Sequence, residues 1–130
     1  MSVGIILISH PGIASSIKSV AERIFGKLPL PVEVLEIGFD GSASDWLPTC
    51  STQMRKVDQG DGVLMLVDFY GAIPSNCAKQ ASMIGTPTRR VSGLNLSMLL
   101  RVLNYPELDL DGMQAMAAQG ARIGVVLDDA

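Results

Sequence analysis

The stretch Gly4 to Gly12 reads Gly-Ile-Ile-Leu-Ile-Ser-His-Pro-Gly, and it decides the fold class. Ile5, Ile6, Leu7 and Ile8 are apolar without alternation, so both of their faces need cover. A short, mostly β-branched run of this kind is the pattern of a strand inside a parallel sheet. The run stops on Ser9 and His10. Pro11 lacks a backbone donor and disfavours helix at His10, so the strand cannot pass straight into a helix. His10 is thereby placed just beyond the carboxyl end of a buried strand. Open parallel sheets collect ligands and chemistry at that edge.

Downstream, strand and helix signals alternate. Ala14 to Phe25 repeats Ile17, Val20, Ala21, Ile24 and Phe25 at helical spacing, with Lys18, Glu22 and Arg23 on the other side. Gly26 and Pro29-Leu30-Pro31 end that helix. Val32 to Ile37 is short, bounded by Pro31 and Gly38, and reads as a strand near an edge. After the turn at Asp40-Gly41-Ser42, Ser44 or Asp45 is the expected cap of a helix through Trp46, Leu47, Met54 and Val57. Pro48 fits only in its first turn. Val63 to Val67 is a second wholly apolar run, and it stops on Asp68. A helix is expected over Pro74 to Met83, a weaker strand over Thr86 to Ser92, and a helix through Leu96 to Leu103 capped by Asn95. Leu110 to Gln119 is expected to form the last helix, capped by Asp109 or Asp111 and closed by Gly120. Ile123 to Leu127 reads as a final apolar strand. The pattern predicts an α/β domain with a mostly parallel sheet covered by helices on both faces. No linker, repeat or low-complexity segment interrupts it, so residues 1–130 are read as a single domain.

Composition narrows the function. The chain has 130 residues, 48% of them hydrophobic, and a net charge of −3. The absence of a basic cluster argues against a nucleic-acid partner. No apolar run approaches the ~20 residues needed to span a bilayer. No basic flank or cleavage pattern marks a secretory signal, so a cytoplasmic protein is expected. Cys50 and Cys77 are not spaced as metal ligands and read as reduced thiols; their separation is left open. No Walker motif, Gly-x-Gly-x-x-Gly fingerprint or Gly-x-Ser-x-Gly elbow is present. Leu108 to Gly112 has the start of a calcium loop but lacks its later glutamate, so helix capping is the better reading. Neither a metal nor a cofactor is expected. Arg89 and Arg90 should point to opposite faces of their strand.

Three features carry the chemistry. His10, the one histidine, is suited to proton transfer or nucleophilic attack near neutral pH. Asp68 ends the second apolar strand. If that strand lies beside the first, its carboxylate can hold one ring N–H of His10. The other ring nitrogen then presents a lone pair, and the carboxylate stabilises a cationic ring. Phe69-Tyr70-Gly71-Ala72-Ile73-Pro74 leads into a helix. Gly71 permits a positive φ, and free N–H groups at a helix start suit a phosphate. Phe69 and Tyr70 suit either core or a protein-docking patch.

Three segments together resemble a known family. They are Gly-Ile-Ile-Leu-Ile-Ser-His from Gly4, Gly-Val-Leu-Met-Leu-Val-Asp-Phe-Tyr-Gly-Ala-Ile-Pro-Ser-Asn-Cys-Ala from Gly62, and Val-Ser-Gly-Leu-Asn-Leu-Ser-Met-Leu-Leu from Val91. In that order they resemble the mannose-type IIA domain of the bacterial phosphoenolpyruvate-dependent sugar phosphotransferase system, and the likeness covers nearly the whole chain. The resemblance implies an open α/β/α fold with one antiparallel C-terminal strand, and a homodimer. It implies transfer of a phosphoryl group from phospho-HPr to a histidine and on to a IIB component. On this chain His10 matches the phosphorylated histidine and Asp68 its orienting aspartate, while Gly71, Ala72 and Ile73 match the phosphate-facing loop. Two positions depart from the family pattern. Pro11 stands where a glycine is common, and Ile73 where a serine would offer a hydroxyl. With one IIA-sized domain read, either a separate transport component or a regulatory protein serving no sugar permease is expected. The phosphotransfer subunit of dihydroxyacetone kinase is a further alternative of similar style.

Overall fold

The structure, a computed structural model, describes residues 2–129. Strand β1 is Gly4–Ser9, β2 Val32–Glu36, β3 Val63–Val67 and β4 Thr88–Ser92. Helix α1 is Ile13–Phe25, α2 Ala43–Val57, α3 Ile73–Ala81, α4 Leu96–Leu103 and α5 Leu110–Ile123. The four strands form one sheet in the order β2-β1-β3-β4, and all three pairings are parallel.

The two apolar runs make the two central strands, and every residue of β1 and β3 is buried. Alternate side chains of a strand point to opposite faces, and two cores result. Ile5, Leu7, Leu64 and Leu66 pack with α1, α4 and α5 through Ala14, Ala21, Met98, Leu99, Val102, Met113 and Ala117. Ile6, Ile8, Met65 and Val67 pack with α2 and α3 through Cys50, Met54, Val57, Cys77, Ala78 and Ala81. Burying each large aliphatic side chain contributes ~1.5–3 kcal/mol, so a charge at Ile6 or Met65 would break the sheet's cover on that face. Cys50 and Cys77 lie in this second core as free thiols on facing helices. Contact with Cys77, and then burial, push the Cys50 thiol up, so it stays protonated.

The structure corrects several expectations. The antiparallel strand over Ile123 to Leu127 does not form. Helix α5 continues to Ile123, and Val125, Val126 and Leu127 are exposed and irregular. A strand exists only by pairing its backbone with another, and among the described residues no strand pairs with that segment. Gly120 does not close α5 but is buried inside it. A Cβ built there would come within 2.5 Å of Arg101 Cβ; glycine therefore lets α5 lie against α4, and Ser97 Oγ donates to the Gly120 carbonyl at 2.6 Å. Helix α2 begins before Ser44, because the Ser42 N–H donates to Asp45 Oδ2 at 2.9 Å and makes Ser42 the cap. Pro48 then falls just past the first turn, where it deprives the Ser44 carbonyl of its helical donor. Helix α3 begins one residue before Pro74 and stops at Ala81, and β4 begins at Thr88 rather than Thr86. Arg89 pairs with Asp111 on α5 at 2.8 Å, both exposed.

Candidate functional site

Parallel pairing sets Ile8 beside Val67, so His10 and Asp68 leave the sheet side by side. The Asp68 N–H donates to the Ile8 carbonyl at 3.2 Å. The His10 N–H donates to Asp68 Oδ2 at 2.9 Å, and the same oxygen lies 2.6 Å from His10 Nδ1. One carboxylate oxygen thus holds both the main chain and the ring of His10. Asp68 Oδ1 is buried with no donor among the described residues. The Asp68 side chain is 6% exposed and that of His10 25%, so the carboxylate is sheltered while the ring reaches solvent. A carboxylate accepts, so Nδ1 carries the proton and Nε2 keeps its lone pair. A ring held this way can serve proton transfer or nucleophilic attack through Nε2.

Phe39 lies on the ring face, with centroids 5.4 Å apart and planes at 29°. It comes from the loop after β2. The backbone there is still tied to the site, because the Ile37 N–H donates to the Ser9 carbonyl at 2.8 Å.

Of the helices that start at this edge of the sheet, the two that follow β1 and β3 differ in charge. At α1, Ser9 Oγ accepts from the Ala14 N–H at 2.9 Å and donates to the His10 carbonyl at 2.7 Å. Glu36 Oε2 accepts from the Ser15 N–H at 2.9 Å. The Ser15 hydroxyl first, then the Ser15 and Gly12 N–H groups, hold the Glu36 carboxyl below its ordinary value. This helix start is already filled and already carries a negative charge. At α3, no side chain caps the helix and no acid lies in its first turn. Gly71 turns the chain at φ 87°, a conformation that L side chains rarely adopt. Ala72 is the extended N-cap and Pro74 stands at the second helical position. With Pro74 lacking a donor, the N–H groups of Ile73 and Ser75 are the ones offered at the helix start.

His10 and Asp68 are therefore in direct contact, whereas Gly71, Ala72 and Ile73 share their sheet edge without a hydrogen bond to either. The Ile73 side chain is half-buried and packs against the second core. Sequence reading missed Phe39, Glu36 and Ser9. Glu36 had a usable signal, since it ends the strand that pairs with β1, opposite Ser9. Ser9 is the one buried polar residue among those described, and its place before His10 reads only as a strand end. Phe39 sits in a glycine-bounded loop whose path is not written in any local pattern. Among the described residues no cluster of His, Cys, Asp and Glu could hold a metal, and no helix is long and apolar enough to cross a membrane.

The site is a carboxylate-held histidine at the carboxyl edge of a parallel sheet in an α/β domain. The family described as the PTS system fructose IIA component matches residues 4–118, and the chain belongs to that family. It is 34% identical over 112 residues to the transcriptional regulatory protein LevR of Bacillus subtilis, spanning 83% of this chain and 12% of that protein. It is 27% identical over 127 residues to the mannose-specific EIIAB component of Escherichia coli K12, spanning 96% of this chain and 39% of that protein. The fold is that of the mannose/sorbose-specific IIA subunit from Enterococcus faecalis, with a TM-score of 0.87 at 24% identity over 100% of this chain and 97% of that one. The chain thus spans well under half the length of the curated relatives it matches.

Proposed function

We propose that this chain is a phosphotransfer protein that takes a phosphoryl group from phospho-HPr onto His10 Nε2 and passes it to a IIB component. The observation that carries the reading is Asp68 Oδ2 at 2.6 Å from His10 Nδ1. The Nε2 lone pair attacks phosphorus, and the Nε2–P bond forms as the donor's N–P bond breaks. The donor nitrogen keeps the bonding electron pair. The His10 ring becomes cationic with its Nδ1 proton retained, and Asp68 stabilises that charge. The uncapped start of α3 at Gly71, Ala72 and Ile73 supports a phosphate position there, because α1 already holds the Glu36 carboxylate. For the same reason the missing N–H of Pro11 costs the phosphate little, since α1 is not where the anion would go. The missing hydroxyl at Ile73 leaves backbone donors as the holding groups.

Incubation with phosphoenolpyruvate, enzyme I and HPr should place one acid-labile, base-stable phosphate on His10. Wild-type protein that takes no label, or His10→Ala protein labelled as fully as wild type, overturns the assignment. A second reading is favoured by the identity to LevR: a regulatory module whose partner choice follows the state of His10. Capture experiments with phosphorylated and unphosphorylated protein separate the two. Transport requires phosphate passed to IIB, and regulation requires a partner that leaves or arrives with the phosphate.

The expected cytoplasmic homodimer belongs to the same proposal. Val125, Val126 and Leu127 are 73%, 68% and 89% exposed, and among the described residues no strand pairs with the outer edge of β4. Each calls for a partner surface, and a second copy would cover both. Sedimentation should find a dimer, and Val126→Asp should shift it toward monomer.

A further inference from the structure

Phe39 is 75% exposed, which is costly for a large apolar ring with so little cover. The one aromatic contact it makes among the described residues is the face of His10. Its loop is short and bounded by Gly38 and Gly41, the latter at φ 91°, and it leaves from buried Ile37, whose N–H is bonded to the Ser9 carbonyl. The main chain that carries Phe39 is therefore tied to the residue before His10.

We propose that Phe39 is a positioning residue for phosphoryl transfer, holding the imidazole plane of His10 so that Nε2 stays aimed outward. Asp68 fixes the ring in its own plane through Nδ1, but a single hydrogen bond leaves the ring free to rock about that contact. A stacked ring on one face removes that freedom. The contact also strengthens when the ring becomes cationic, because an aromatic face attracts positive charge. Its benefit therefore falls on the transferring and phosphorylated states more than on the resting one. The packing excludes water from one face of the phosphoimidazole as well. This inference rests on phosphotransfer through His10, and it adds a residue that neither the family motifs nor the Asp68 contact supplies.

The experiment uses full-length Phe39→Leu, Phe39→Ala and Phe39→Tyr proteins beside wild type. Leu keeps apolar bulk without a ring, and Tyr keeps the ring. NMR of unphosphorylated protein should show His10 ring protons displaced by the Phe39 ring current in wild type and Phe39→Tyr, and not in the other two. With saturating phospho-HPr, Phe39→Leu and Phe39→Ala should lose roughly two- to tenfold in kcat, the range of one aromatic pair. KM for the donor should stay unchanged, the phosphohistidine should hydrolyse faster, and Phe39→Tyr should restore both properties. A raised KM at unchanged kcat would make Phe39 a donor-docking contact and overturn the positioning role. So would a Phe39→Leu protein equal to wild type, or the absence of a ring-current shift in wild type. Wild-type protein that shows the ring-current shift but takes no phosphate overturns the phosphotransfer reading itself, and the proposal with it. Labelled wild type with kinetically silent Phe39 variants overturns this proposal alone.

Discussion

Replacing Asp68 by asparagine tests the centre of the site with almost no change in shape. Asp68 Oδ2 accepts from both the His10 N–H and Nδ1–H, while Oδ1 is buried without a donor. If the asparagine carbonyl takes the place of Oδ2, both bonds survive in neutral form, and the amide NH2 takes the buried place of Oδ1. If the amide is reversed, its hydrogens face two donors. Either way the negative charge beside the ring is gone. A hydrogen bond to a charged group contributes ~1.5–3 kcal/mol. The loss bears most on the state in which the ring is cationic, so it appears in the barrier rather than in donor binding. The phosphoryl-transfer rate should fall roughly ten- to a hundredfold. Rapid-quench measurement with radiolabelled phosphoenolpyruvate and saturating phospho-HPr reads that rate directly. KM should hold, because Asp68 is 6% exposed and does not meet the donor. A circular-dichroism melt checks that the fold survives. A folded Asp68→Asn protein with wild-type transfer kinetics would refute the coupling of the two residues and with it the assignment of Nε2 as nucleophile.

Ile73→Ser should lower stability by about 1–3 kcal/mol through the cavity it leaves against the second core. Phosphohistidine lifetime should stay unchanged, and a longer lifetime at unchanged melting temperature would return the side chain to the phosphate site. Gly120→Ala should cost about 1–3 kcal/mol as α4 and α5 are forced apart, since the new Cβ meets Arg101 Cβ at 2.5 Å; an unshifted urea midpoint would count against that close contact. Glu36 has a carboxyl pKa held below its ordinary 4.5. The stability it contributes is therefore fully present above 4.5 and disappears as pH falls through the lower folded value. Glu36→Gln should lower the melting temperature at pH ~7 and flatten its fall below pH ~5; melting curves parallel to wild type across that range would show that the carboxylate at α1 contributes nothing.

Local chemistry determined the central elements from sequence alone. Two unbroken apolar runs, Ile5 to Ile8 and Val63 to Val67, required burial on both faces, and only the middle of a covered parallel sheet supplies that. Pro11 and Gly12 made the first run stop at His10, and the pairing of a strand ending on His10 with one ending on Asp68 was open to inference. Asn95 and Asp109 were readable as caps because capping is decided within three residues, and they accept from Met98 and Gly112 at 2.8 Å. Tertiary structure decided the rest. The 2.6 Å contact depends on β1 and β3 being neighbours in register, a relation between segments 58 residues apart that no local pattern records. Gly120 reads as a helix end until Arg101 and Ser97 are seen against it. Ile123 to Leu127 has the composition of a strand, yet composition cannot supply the neighbouring backbone that a strand needs. Phe39 reaches His10 because Ile37 is bonded to Ser9 across the sheet edge. That placement follows from the packing of β2 on β1, and the five letters of Gly-Phe-Asp-Gly-Ser do not contain it.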